Sequence, residues 1–248
     1  MTREQMREVD RIMVEDLGIS VLQMMENAGR ALARVAAAAL GGSPQGRRVL
    51  ILAGNGGNGG GAMAAARRLA GWGADLRVVT TDAPERMDGA AGHQARTLRA
   101  LEIPMRASIA ADERAVDVVL DGMIGYSLGG PPRGRARDLI DEVGTMGIPV
   151  IALDIPSGLD VDTGEAPGVA LTATATLTLA APKVGFLVSA AAPFVGELLL
   201  ADIGVPPGVL RRVGCEASTP FASADVVRLA RPGSLGSAAL CGGKPRGA

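Results

Sequence analysis

The sequence predicts an α/β protein built on a mostly parallel sheet with helices on both sides. Three observations carry this. Short apolar runs (Val49–Leu52, Val116–Asp121 and Val150–Asp154) show little of the polar alternation of half-exposed strands, and strands buried on both faces belong to parallel sheets. Stretches of helical period separate them, as βαβ units require. Glycine-rich turns close the strands, two of which end in aspartate. The 248 residues suit one large domain. Hydrophobic residues make up 48% and aromatic residues 2%, so Val, Leu, Ile, Ala and Met must fill the core.

The elements follow in order. Thr2-Arg3-Glu4-Gln5 fits a capping box, and Met6, Val9, Met13 and Leu17 then recur at helical spacing. Ser20-Val21-Leu22-Gln23 repeats the cap, opening a helix that stops at Gly41-Gly42. Val49–Leu52 is a strand, followed by a helix over Ala62–Gly71, a strand over Leu76–Thr80 and a helix over His93–Leu101. Val116–Asp121 is a strand, Arg133–Met146 a helix and Val150–Asp154 a strand, and two more strands fall at Ala173–Leu179 and Glu197–Ile203. Residues 222–248 mix Gly, Ser, Ala and Arg without a long period and predict a weakly structured tail behind a domain at 1–221.

Composition excludes several functions. The 25 basic and 26 acidic side chains leave a net charge of -1, so nothing points to nucleic acid or a charged membrane surface. One Trp, one Tyr and three Phe are too few for base stacking. No run of about 18 uncharged apolar residues predicts a bilayer span. Cys215 and Cys241 have no metal-ligand spacing, and the charged N-terminus reads as helix rather than signal peptide, so a cytoplasmic protein is expected.

The strongest motif is the run from Gly54 to Gly61, six glycines in eight residues between a strand and a helix. The amides that open a helix lack partners and carry partial positive charge, so they suit phosphate, and glycine lets a ligand approach the backbone. The alternative is a flexible turn. Gly54, Gly56 and Gly59 also match G-x-G-x-x-G, with Asp82 about twenty residues on, a weak dinucleotide signal. Asp121 closes a second strand before a Gly/Pro-rich loop, and Asp154 closes a third before Ile155-Pro156-Ser157-Gly158. By topology both should share the glycine loop's edge of the sheet, where ligands of open α/β sheets sit. Their structural alternatives are caps and turns, which also account for Asp160 and Asp162. His93, the only histidine, reads as a structural residue on a surface helix. Lys183 is open between facing a ligand and surface solvation, and Met24-Met25 reads as core.

Together these motifs resemble one family. Met25-Glu26-Asn27-Ala28-Gly29-Arg30, the glycine loop with Ala65-Ala66-Arg67-Arg68-Leu69, the aspartate loops, Ala181-Pro182-Lys183 and Val195-Gly196-Glu197 occur in that order. This is similar to the NAD(P)H-hydrate epimerase family, which also forms the N-terminal half of a bifunctional nicotinamide-nucleotide repair enzyme. The resemblance spans about Met1–Pro207. It implies a Rossmann-like three-layer α/β/α sandwich, a homodimer, and interconversion of the R and S forms of hydrated NADH or NADPH. By matching positions the ligand would touch Gly57, Asn58, Gly59, Gly60 and Gly61, the loop Gly125, Tyr126, Ser127, Leu128, Gly129, Gly130 and Pro131, and Asp154. A potassium ion would be held by Asn58, Asp121 and Ser157, oxygen ligands of the kind hard cations prefer. Asp154 would be the acid–base group. Gly61 stands where the family pattern has an acid, and Tyr126-Ser127 where Thr-Gly is usual. Two other functions remain open: a non-catalytic nucleotide-binding or scaffold relative, and an NAD(P)-dependent dehydrogenase resting on G-x-G-x-x-G and Asp82 alone.

Overall fold

The computed structural model describes residues 1–110, 115–215 and 220–230. Eight strands form one sheet: β1 (Arg48–Ala53), β2 (Asp75–Thr80), β3 (Met105–Arg106), β4 (Val118–Gly122), β5 (Val150–Leu153), β6 (Ala175–Leu179), β7 (Glu197–Ala201) and β8 (Val226–Arg228). Their spatial order is β3-β2-β1-β4-β5-β6-β7-β8, and every pairing is parallel except that of β7 with β8. Among the described residues the α-helices are α1 (Arg3–Arg11), α2 (Val21–Ala39), α3 (Gly57–Gly71), α4 (Gly89–Ala100), α5 (Gly134–Gly144), α6 (Ala192–Val195) and α7 (Pro207–Arg212).

The strand pleat builds three layers. Val49, Ile51 and Ala53 of β1 face the cluster that contains α1 to α4, while Leu50 and Leu52 face α5 through Leu139, Ile140 and Val143. This is the expected α/β/α sandwich. Among the described residues, no helix is long and apolar enough to cross a membrane.

Both capping boxes form, Thr2 with Gln5 and Ser20 with Gln23. The first helix departs from expectation at its end. Residues Ile12–Asp16 form a π turn, closed by Leu17 N–H donating to Ile12 O at 3.1 Å. The wider turn rotates Leu17 off the buried stripe, so it is exposed while Met6, Val9 and Met13 are buried. Helix α3 begins at Gly57, five positions before the Ala62 start expected, because the glycines themselves make its first turn. Their poor helix propensity hid it from a pattern reading. Gly29 lets α2 cross α3 closely: a Cβ there would lie 2.6 Å from Ala64 Cβ and 2.8 Å from Gly61 O. Two strands went unread. β3 has only two residues, and β8 lies inside the stretch expected to be a tail. The expectation for residues 231–248, like Cys241, lies outside the described residues.

Candidate active site at the carboxyl edge of the sheet

Strand order reverses at β1, with β2 on one side and β4 on the other. Chains leaving β1 and β4 turn to opposite faces there and open a crevice. The two loops interlock at its floor. Gly54 N–H donates to Gly122 O at 3.2 Å, and a Cβ on Gly54 would sit 2.0 Å from Met123 O. A Cβ on Gly59 would sit 1.7 Å from Gly54 O, so glycine is required at both positions.

The run therefore divides in two. Asn55, Gly56 and Gly57 are exposed and Asn58 is half-buried, while Gly59, Gly60 and Gly61 are buried. Gly60 packs against the Met25 thioether, and Gly61 lies where a Cβ would be 2.8 Å from Leu153 Cδ2. Gly61, where the resemblance implies an acid, is enclosed by packing against Leu153 and Ala28. The first bond into α3 runs from Gly60 N–H to Gly56 O at 3.0 Å, so the amides of Gly57, Asn58 and Gly59 open the helix without a partner inside it.

Asp121 and Ser157 meet beneath this turn. Ser157 donates from Oγ to Asp121 Oδ1 at 2.6 Å and from its backbone N–H to Oδ2 at 2.7 Å, while Met123 N–H reaches Oδ1 at 3.2 Å. Ser157 Oγ in turn accepts from Ile124 N–H at 2.9 Å. Asp121 is 1% exposed. Burial pushes its carboxyl up to about 6, against the pull of these hydrogen bonds. Asn58 donates Nδ2 to Leu153 O at 2.7 Å, and its Oδ1 lies 2.7 Å from where a Gly125 Cβ would be. Asn58 thus bridges the glycine turn, the β4 loop and the end of β5.

Asp154 follows Leu153 directly and takes φ +67°, a left-handed turn that ends β5. Asp is among the few side chains that visit this region readily. Its carboxylate is 2% exposed and pairs with Lys183 Nζ at 2.7 Å. Leu179 N–H at 3.2 Å and the Thr178 hydroxyl at 3.5 Å reach the same oxygen, Oδ1. Among the described residues Oδ2 takes no hydrogen bond, and it is not among the buried unpaired atoms, so it keeps a small access to solvent. Lys183 is itself 1% exposed and donates to Thr178 Oγ1, Leu179 O and Ala181 O at 3.1, 2.8 and 3.1 Å. Neither surface solvation nor ligand contact describes it; Lys183 is the buried counter-ion of Asp154. A lysine a few residues past a strand carries no pattern that reveals its partner.

The loop after β4 forms the remaining wall. Leu128 is buried, Ser127, Gly129 and Pro131 are exposed, Gly125 and Gly130 are half-buried, and Gly130 takes φ +123°. Tyr126 is half-buried and donates its hydroxyl to Asp10 Oδ2 at 2.5 Å. Arg3 Nε donates to Tyr126 O at 3.0 Å and Arg3 also pairs with Asp160 at 2.5 Å, so α1 straps across the loops after β4 and β5. Asp160 Oδ1 accepts the Asp162 and Thr163 amides, which is the turn expected of it. Asp10 escaped the sequence reading, since it sits on a helix 116 residues from its partner. His93 is exposed on α4, and Asp82 is exposed past β2 beside Thr81. Glu26 binds Arg67, Arg68 and Gln94 between α2, α3 and α4.

Comparison with known proteins shows the chain's family and fold. The family model described as YjeF-related protein N-terminus matches residues 21–185. An NAD(P)H-hydrate epimerase of Dehalogenimonas lykanthroporepellens is 42% identical over 228 residues, covering 90% of each chain. One of Rhodopirellula baltica is 37% identical, covering 86% of this chain and 87% of the other. The bifunctional NAD(P)H-hydrate repair enzyme Nnr of Salinibacter ruber is 33% identical, covering 99% of this chain and 49% of that protein. The crystal structure of yeast ynu0, YNL200c, superposes with a TM-score of 0.77 at 20% identity, covering 92% of this chain and 98% of the yeast chain, and so shares the fold. The chain belongs to the NAD(P)H-hydrate epimerase family.

Proposed function

We propose that this chain interconverts the R and S forms of hydrated NADH and NADPH, with Asp154 as the acid–base group. The observation that carries the reading is the Asp154 carboxylate at the end of β5, held through Oδ1 by Lys183 and the Leu179 amide while Oδ2 takes no hydrogen bond among the described residues. The stereocentre is a hemiaminal carbon. Loss of its hydroxyl as water leaves a planar iminium, and water returns to either face. The step needs a fixed group that gives and takes a proton at oxygen. Asn58 ties the glycine turn to Leu153, the neighbour of Asp154, so phosphate held by the amides of Gly57, Asn58 and Gly59 would position the ring beside that carboxylate. The loop Gly125–Pro131 closes the other side.

A potassium ion fits the residues present. Asn58 Oδ1, Asp121 and Ser157 Oγ are all oxygen donors, and the buried Asp121 has only neutral hydrogen-bond partners, leaving its charge uncompensated. Bound there, the ion would supply that charge and hold the two loops in register. The same reading extends to a cytoplasmic homodimer.

The test compares wild type with Asp154→Ala for equilibration of the two epimers of hydrated NADH. The variant should lose about 10²–10⁴-fold in rate. Equal rates, both at the uncatalysed level, would leave a ligand-binding relative without the chemistry.

A further inference from the structure

The wall loop Gly125–Pro131 has few contacts along its outer part. A Cβ on Gly129 or Gly130 would meet nothing within 4 Å. The loop is held instead from α1, at both ends of one residue. Arg3 Nε donates to Tyr126 O at 3.0 Å, and the Tyr126 hydroxyl donates to Asp10 Oδ2 at 2.5 Å. Arg3 and Asp10 stand about two helical turns apart, so they share one face of α1. The ring between them packs against the core cluster that contains α1 and against the smaller cluster of Ile155, Leu159 and Val161.

Arg3 also reaches the loop after β5. Its Nη2 meets Asp160 Oδ2 at 2.5 Å, and its backbone N–H donates to Asp162 Oδ1 at 2.8 Å. Asp160 is already aimed, because the Asp162 and Thr163 amides occupy its Oδ1 at 2.9 and 3.0 Å. The start of α1 is fixed in turn: Val184 N–H donates to Met1 O at 3.0 Å, and Gln5 Nε2 to Val213 O at 2.9 Å. One guanidinium therefore spans the loop that follows β4 and the loop that begins with Asp154. Its planar fork holds two acceptors in fixed geometry, whereas an ammonium is a point donor on a flexible stem. Asp154 takes its own hydrogen bonds from Lys183 and Leu179.

We propose that Arg3 is a positioning residue for the epimerisation: it fixes the loop Gly125–Pro131 at the spacing from the Asp154 loop that admits the hydrated nucleotide. This rests on the reading of the crevice given above. A loop ordered during folding costs less ordering entropy when ligand binds. Freed from Arg3, the loop must be ordered at the expense of binding energy, so KM rises. Once the nucleotide is bound, Asp154 keeps its own anchors, so kcat stays.

Arg3→Met keeps most of the stem and removes both donors, and Arg3→Lys keeps the charge. Initial rates of R-to-S conversion of hydrated NADH give KM and kcat for each, at a temperature below the melting of every variant. Arg3→Met should raise KM about tenfold with kcat within about threefold, and Arg3→Lys should recover part of the KM. Asp160→Asn should raise KM too. The double variant Arg3→Met/Asp160→Asn should do no more than the larger single change, because both cut one bridge. An unchanged KM, a fall in kcat alone, or additive effects in the double variant overturns the proposal. Deuterium exchange tests the strap without the reaction. Amides of residues 124–131 should exchange at least about tenfold faster in Arg3→Met, and those of β1 should not change. Unchanged exchange in the loop overturns the proposal as well. A wild type that leaves the epimers at their spontaneous rate removes the reading of the crevice and this role with it, whereas an active wild type and an unmoved KM in Arg3→Met remove only the role of Arg3.

Discussion

Asp121 and Asp154 end adjacent strands of one sheet, β4 and β5, and both are buried. Their surroundings nevertheless differ. Asp121 meets only neutral donors, a hydroxyl and two amides. Asp154 meets an ammonium that is itself bonded to three oxygens. A carboxylate among dipoles retains a demand for positive charge, whereas one beside an ammonium has it met. The same position in the fold thus yields two chemistries, and the difference lies in what the next loops bring.

The largest effect should come from breaking the ion pair. Lys183→Met leaves Asp154 buried without its counter-ion, and removing one partner of such a pair costs about 3–5 kcal/mol. Denaturant unfolding should show that loss, and the double variant Lys183→Met/Asp154→Asn should recover much of it. If the single variant is as stable as wild type, the pairing does not exist in solution. The opposite side of the comparison is sharpened by Ser157→Ala. It removes one hydroxyl from Asp121 without stranding a charge partner, so the cost should be about 1–3 kcal/mol. If Asp121 and Ser157 hold potassium, the stabilisation of wild type by potassium chloride over an equal concentration of lithium chloride should shrink in this variant.

Glu26 supplies the smallest effect and a control outside the crevice. Burial works to raise its carboxyl, but Arg67, Gln94 and Arg68 together outweigh it and hold it below the ordinary glutamate range. A depressed folded pKa contributes stability that is present above the unfolded value and lost as pH falls through the folded one. Glu26→Gln should therefore lower Tm at pH 7, and the gap should close in acid below about pH 4. Solvent screening keeps the difference under about 1 kcal/mol. A gap that widens in acid would reverse the assignment.

Legibility in the sequence followed the range of the contacts. The capping boxes at Thr2 and Ser20, the stop at Gly41-Gly42 and the central strands depend on neighbours a few residues away, and all appear in the structure. The first turn of α3 did not show, since a helix made of glycine opposes its own propensity and exists because β1, β4 and α2 pack against it. The aspartates at strand ends were visible as candidates; their partners were not. Lys183 looked like any lysine in a loop, and Asp10 like any acid on an amphipathic helix.

By itself the sequence determined the layered α/β plan, the glycine turn between β1 and α3, and the two acids that finish neighbouring strands. Hydrophobic period, caps and turn residues act over one or two turns of chain, so they are written locally. Only the tertiary structure decided that Lys183 neutralises Asp154, that Asn58 latches onto Leu153, and that Tyr126 reaches Asp10. Those contacts join segments 29, 95 and 116 residues apart. No local pattern encodes them, because they form only when the sheet's strand order brings the separate loops to one edge.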